Sequence, residues 1–169
     1  LEAFGRIDVV VNNAGYGDLA PIENTPLAEF RRQVETNLFG TIIVTKAALP
    51  ILRRQGTGHF LQFSSVGGRI GSVGRAPYSA AKWGVEGFSE VLAKEVGPLG
   101  ILVNAIAPGY IDTPLLNAFG DPEQQALQKG AIAMQTPLGR LGEAREVAAT
   151  ALFLAGPGAS FFTGQVLAP

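Results

Sequence analysis

Tyr78 and Lys82 stand four positions apart in Tyr78-Ser79-Ala80-Ala81-Lys82, so a helix through them brings a phenol and an ammonium onto one face, one turn apart. A free tyrosine ionises near pH 10, too high for proton transfer at neutral pH, and a cation held beside it favours the phenolate and lowers that value. Such a pair also occurs on the outside of ordinary helices, so its surroundings decide what it means. Ser65 lies thirteen residues before Tyr78, at the C-terminal end of a strand-like run, where open α/β sheets bind their ligands. Its hydroxyl can reach a carbonyl oxygen there. Ser64 is read as a turn residue pointing elsewhere.

The elements that must position these groups follow from periodicity. Asp8-Val9-Val10-Val11 reads as a buried strand stopped by the turn Asn12-Asn13-Ala14-Gly15. Phe30, Val34, Leu38, Ile42 and Thr45 recur at helical spacing and predict one long helix over 27–54, closed by Gly56 and Gly58. His59 to Phe63 forms a second strand, with His59 as a strand-edge residue, leading through Ser64-Ser65 into a glycine-rich loop up to Gly74. The stretch Gly67-Gly68-Arg69-Ile70-Gly71 lacks the GxGxxG order and is read as an active-site loop. Tyr78 to Val96 is an amphipathic helix stopped by Gly97-Pro98. A third strand at 101–105, a loop-helix segment from Pro114 to Thr136, a helix from Glu143 to Leu154 and a last strand at 165–167 complete the pattern. Strands alternating with helices imply βαβ units in an α/β fold with a parallel sheet. No repeat or linker divides the chain, so one domain over 1–169 is expected.

Composition fits that architecture. Hydrophobic residues make up 47% and charged residues 16%, against roughly 25% charged in an average globular protein, which favours strands covered on both faces. The net charge of −1 without a basic cluster gives no footprint for nucleic acid. With no cysteine and a single histidine there is no disulfide framework and no metal cluster to expect. Apolar runs fall well short of the roughly 20 residues that span a bilayer, so no membrane partner is expected and a cytoplasmic location is the default. The start at Leu1-Glu2-Ala3-Phe4-Gly5, without Met, and the end at Val166-Leu167-Ala168-Pro169 suggest a piece of a longer protein.

Taken together, NNAG at 12–15, Asn37, Ser65, YSAAK at 78–82 and the PGYIDT run at 108–113 resemble the short-chain dehydrogenase/reductase (SDR) family, in the family's order and spacing over nearly the whole chain. The resemblance implies part of a Rossmann fold, a doubly wound parallel sheet with flanking helices whose first three strands are absent. It implies an NAD(P)-dependent oxidoreductase that interconverts an alcohol and a ketone or aldehyde by hydride transfer. Tyr78 would be general acid or base, Ser65 would hydrogen-bond the reacting oxygen, and Lys82 would act on Tyr78 and hold the nicotinamide ribose. Asn37 matches the residue that holds a water in a proton relay. Asn12 would brace the sheet, Ala14 and Gly15 would offer backbone near the adenosine ribose, and Pro108 and Gly109 would lie against the nicotinamide, with Ile111 and Thr113 at its carboxamide. Leu115 to Gln135 resembles a substrate lid whose closure excludes water. A homodimer or homotetramer is expected through the two long helices at 27–54 and 78–96, where Trp83 either lines that interface or is buried in the monomer.

The family's TGxxxGxG phosphate loop, and the residue that sorts NAD from NADP, would lie before Leu1, so 1–169 alone is expected to bind cofactor poorly and to be inactive. Two other readings carry the same motifs. A non-catalytic protein that keeps the dinucleotide fold usually loses the tyrosine or lysine, whereas Ser65, Tyr78 and Lys82 all stand here. An epimerase or dehydratase of the extended branch also uses YxxxK, but the NNAG form and the short C-terminal region speak against it.

Overall fold

Alternation of β-branched and apolar runs with helical stretches produces four parallel strands in the order β1-β2-β3-β4. The computed structural model describes residues 3–114, 116 and 121–169. The strands are Val9–Asn12 (β1), Gly58–Phe63 (β2), Ile101–Ile106 (β3) and Val166–Leu167 (β4). Between β1 and β2 run α1 (Leu27–Val34), a π-helical turn (Glu35–Phe39) and α2 (Gly40–Gln55); α3 (Ala76–Val96) joins β2 to β3, and α4 (Pro122–Gln135) and α5 (Ala144–Ala155) join β3 to β4.

Both faces of the sheet are covered, which is why β2 and β3 are buried along most of their length, Gln62 and Asn104 included, rather than at alternate positions. On one face Phe60, Ile101 and Val103 pack with Leu52 of α2 and Leu92, Ala93 and Val96 of α3. On the other, Leu61 and Ile106 pack with Val147 and Leu154 of α5 and with Ala159. The arrangement is a doubly wound α/β sheet, as the sequence implies. Among the described residues β1 pairs only with β2 and leaves Val11 half exposed.

Three expectations are corrected. The helix over 27–54 is interrupted by the π-helical turn at Glu35–Phe39, where the backbone takes in an extra residue and the regular hydrogen-bond ladder shifts. The stripe this element buries shares only Thr45 with the predicted one. Gln33, Asn37, Thr41, Thr45, Ala48 and Leu52 are buried, whereas Phe30, Val34, Leu38 and Ile42 are only partly so. From Gln33 to Thr45 the buried stripe is polar because it faces polar groups: the carbonyl of Tyr16 and the side chains of Asn12 and Gln62 all bond to it. Finally, His59 belongs to β2, which lies inside the sheet between β1 and β3, so it is not a strand-edge residue.

Helix ends follow local chemistry. Gly56 closes α2 in the left-handed region at φ 69°, its N–H donating to the carbonyls of Leu52 and Arg53. Asp121 caps α4 by accepting from the N–H groups of Glu123 and Gln124, with Pro122 following at the first position. Of the expected lid segment, residues 115 and 117–120 lie outside the described residues; 122–135 is the helix α4.

Candidate active site

The C-terminal ends of β2 and β3 open onto a cavity of about 380 Å³, lined by Ser65, Tyr78, Lys82, Gly15, Pro108, Gly109, Ile111 and Thr113, among others. Of the eleven residues to which the sequence assigns a catalytic or cofactor role, or a bracing one, eight therefore line one space. Asn12 and Asn37 are buried beneath it, Ala14 is exposed outside it, and Ser64 lines it while its hydroxyl bonds elsewhere.

Tyr78 enters from the first turn of α3 and is 8% exposed. Its ring is flanked by glycine backbone. A Cβ at Gly17 would lie 2.9 Å from Tyr78 Cδ2, and one at Gly67 would lie 3.3 Å from Cε1 and 3.6 Å from Ser65 Oγ. Gly67 thus lies against both the Tyr78 ring and the Ser65 hydroxyl. Ser65 sits in extended backbone at the end of β2 and caps a short 3₁₀ turn, its Oγ accepting from the Gly67 N–H at 3.1 Å. Because that contact uses a lone pair, the hydroxyl's own hydrogen stays available for an acceptor in the cavity.

Lys82 follows one turn after Tyr78 and is 5% exposed. Its Nζ donates to the Phe63 carbonyl at 2.7 Å and lies 5.6 Å from the Tyr78 ring centroid. Burial pushes its pKa down to about 8, because leaving water disfavours the ammonium. Lys82 therefore remains mostly cationic at neutral pH.

Asn37 occupies the π-helical turn, and its Nδ2 donates to the carbonyls of Tyr16 and Gln33 at 2.8 and 2.9 Å. Its Oδ1 is buried without a partner. A Cβ at Gly15 would lie 2.5 Å from that oxygen and 3.5 Å from Lys82 Nζ, so the bare backbone of Gly15 lies close to both polar atoms. Beneath it, Asn12 Nδ2 donates to Gln62 Oε1 at 2.7 Å and Thr45 Oγ1 at 3.1 Å. This ties the end of β1 to β2 and α2.

The loop after β3 is pinned on two sides. Gly109 N–H donates to the Pro169 carbonyl at 3.2 Å, Asp112 N–H to the Gly142 carbonyl at 2.9 Å, and Gly142 N–H to the Tyr110 carbonyl at 3.0 Å. Lys129 of α4 pairs with Asp112 at 2.8 Å, joining that helix to the rim.

Sequence reasoning missed Gly17, Gly67 as a wall of the tyrosine site, and Arg75, which lines the cavity with its guanidinium carbon 6.0 Å from the Tyr78 ring centroid. Arg75 was accessible to the three-residue helical spacing from Tyr78. The two glycines left no local signal, since what they do depends on a ring brought in from another element. Trp83 is 54% exposed, which removes burial within the monomer as its explanation.

A fit to a nicotinamide dinucleotide is possible at one end only. The cavity, the glycine backbone at Gly15 and the pinned loop at 108–113 suit a flat ring and a ribose. No TGxxxGxG sequence occurs among residues 1–169 to receive a pyrophosphate. Among the described residues no group of His, Cys, Asp and Glu could hold a metal ion, and no helix is long and apolar enough to cross a membrane.

Known proteins are similar to this chain in sequence and fold. The model of the family described as Enoyl-(Acyl carrier protein) reductase matches residues 1–168. An oxidoreductase of Botryotinia fuckeliana (strain B05.10) is 54% identical over 112 residues, covering 66% of this chain and 41% of that protein. The trans-4-hydroxycyclohexanecarboxylate dehydrogenase of Sinomonas cyclohexanicum is 39% identical over 168 residues, covering 99% of this chain and 61% of that protein. The crystal structure of levodione reductase superposes with a TM-score of 0.95 at 40% identity, covering 99% of this chain and 66% of that one. The chain thus spans between about two fifths and two thirds of the length of these relatives.

Proposed function

The chain belongs to the short-chain dehydrogenase/reductase family, and on that premise we propose that its protein interconverts an alcohol and a ketone or aldehyde, with Tyr78 as general acid and base. The observation that carries this reading is the convergence at Gly67, which lies against both the Tyr78 ring and the Ser65 hydroxyl, with Lys82 behind the ring in the same cavity. When bound, NAD or NADP supplies the hydride donor or acceptor. Pro108, Gly109, Ile111, Thr113 and Lys82 are the residues that would hold its nicotinamide end, with Ala14 and Gly15 offering backbone near the adenosine ribose and Asn12 bracing the sheet.

In the reducing direction Ser65 donates its free hydroxyl hydrogen to the carbonyl oxygen and aims that oxygen at the phenol. Tyr78 gives its proton to the same oxygen as negative charge develops there. The Lys82 ammonium stabilises the phenolate left behind. Asn37 accounts for the return of the proton: its unpartnered Oδ1 and Lys82 Nζ both lie close to Gly15, where a water would link them. Alcohol oxidation runs the same transfers backwards. α4, held to the rim by the Lys129–Asp112 pair, is the lid over the substrate. The exposed apolar side chains on the two long helices, Phe39, Ile43, Trp83 and Val91, support a homodimer or homotetramer.

The full-length protein tests this reading: oxidation of NADH or NADPH is followed against a panel of ketones and aldehydes, and the absence of turnover with every carbonyl would overturn it. Residues 1–169 alone should show neither turnover nor micromolar binding of either dinucleotide, because productive transfer needs a firmly held ring and the pyrophosphate would find no glycine-rich loop. Calorimetric titration of the isolated chain decides this, and micromolar binding would show that the site is complete without that loop.

A further inference from the structure

We propose that Glu86 is a positioning residue that sets Ser65 against Tyr78, by tethering the end of β2 to the helix that carries both Tyr78 and Lys82. The proposal rests on the catalytic reading above. Tyr78, Lys82 and Glu86 occupy successive turns of α3. Lys82 Nζ donates to the carbonyl of Phe63, and Ser64 Oγ donates to Glu86 Oε1, each at 2.7 Å. Two consecutive residues at the end of β2 are therefore held by side chains from adjacent turns of α3. The next residue is Ser65.

The second oxygen of Glu86 reaches past Ser65. Its Oε2 lies 3.5 Å from Arg69 Nε, so one carboxylate contacts the chain on both sides of the serine. The intervening turn leaves no slack: a Cβ at Gly68 would lie 2.5 Å from Ser64 Oγ, 3.0 Å from Glu86 Oε1 and 3.0 Å from the carbonyl carbon of Lys82. The Glu86 side chain is 16% exposed, and a carboxylate so shielded needs partners for its charge. Ser64 Oγ also lies 3.3 Å from the Lys82 carbonyl. A hydroxyl has one hydrogen to give, and the shorter contact to a charged acceptor is the stronger.

This tether matters because Ser65 and Tyr78 belong to different elements. Between them lie twelve residues, most of them turn and loop, and a connection of that kind does not hold two hydroxyls at a common oxygen by itself. Displacement of a reacting group by about 1 Å costs on the order of 10²-fold in rate. A tether one residue away from Ser65 controls a fraction of that displacement.

The test is a mutant cycle in the full-length protein, reading kcat and KM. Glu86→Ala should lower kcat about 10-fold with cofactor KM changed less than about 2-fold, and Glu86→Gln, which keeps an oxygen for Ser64, should recover most of the loss. In the Ser65→Ala background Glu86→Ala should cost less than about 2-fold, since the residue it acts through is gone. Unchanged kcat in Glu86→Ala, or an equal loss in both backgrounds, overturns the proposal and leaves the catalytic reading standing. Absence of carbonyl reduction by the wild-type protein overturns both. If Glu86→Ala does not fold, Ser64→Ala removes the same bond from the other side and is read in the same cycle with the same outcomes. Amide hydrogen exchange at 65–68 should be faster in either variant, and unchanged protection there would also overturn the tether.

Discussion

The backbone of Gly17 lies against the ring of Tyr78 so closely that a Cβ at that glycine would stand 2.9 Å from Cδ2. The opposite side of the ring meets Gly67 in the same way, at 3.3 Å from Cε1. The phenol is thus confined between two stretches of bare backbone, one following β1 and one following β2. The ring therefore has little room to move sideways in the cavity.

A methyl group at Gly17 pushes on that ring directly. Gly17→Ala in the full-length protein should lower kcat by about 10-fold or more, through displacement of the reacting hydroxyl. The destabilisation should be within the 1–3 kcal/mol typical of overpacking. Steady-state kinetics with a denaturant melt separate the two effects, and wild-type kcat would show that the ring yields without consequence.

Removing the proton while keeping the ring tests the role of Tyr78 itself. Tyr78→Phe should reduce turnover by about 10²-fold or more, the scale of lost general acid–base catalysis, while the melting temperature stays close to wild type. Turnover within a few-fold of wild type would rule out Tyr78 as the proton donor.

Burial of Lys82 makes stability depend on pH with a definite sign. Burial pushes its pKa in the folded protein down to about 8 from the ordinary lysine value of 10.5, so above pH 8 the unfolded chain holds more protons at this site than the folded one. The unfolding free energy of the wild type should therefore rise relative to Lys82→Met as pH increases from 8 to 10.5, and the difference should be flat below pH 8. A shift of that size corresponds to about 3 kcal/mol in total. Denaturant unfolding of both proteins across this range measures it, and an unchanged difference would show that Lys82 is not desolvated.

The brace under the cavity has a stability signature instead. In Asn12→Ala the buried Gln62 carbonyl oxygen loses the donor 2.7 Å away, and an unsatisfied buried acceptor costs about 1–3 kcal/mol. Urea denaturation of the full-length variant should show that loss, and a change below about 0.5 kcal/mol would mean water replaces the bond.

Much of this protein could be read along the chain because the deciding signals are local. Val9-Val10-Val11 and His59–Phe63 announced strands by composition, Gly56 announced a helix end, and Tyr78 and Lys82 share a helix face through spacing alone. Ser65 was placed correctly at a strand end for the same reason. These signals act over one turn of helix or a few residues of strand, and neighbours in sequence suffice to express them.

What the tertiary structure decided involves partners far apart in the chain. The stripe from Gln33 to Thr45 is buried although it is polar, because Asn12, Tyr16 and Gln62 arrive from other elements with matching donors and acceptors. Gly17 and Gly67 count only because the Tyr78 ring lies between them. Glu86 reads as a solvated helix charge until Ser64, twenty-two residues away, reaches it with a hydroxyl. Periodicity records which side of a helix is apolar. It carries no record of which polar groups will be folded against the other side, because hydrogen bonds between distant residues exist only once packing has brought both partners out of water.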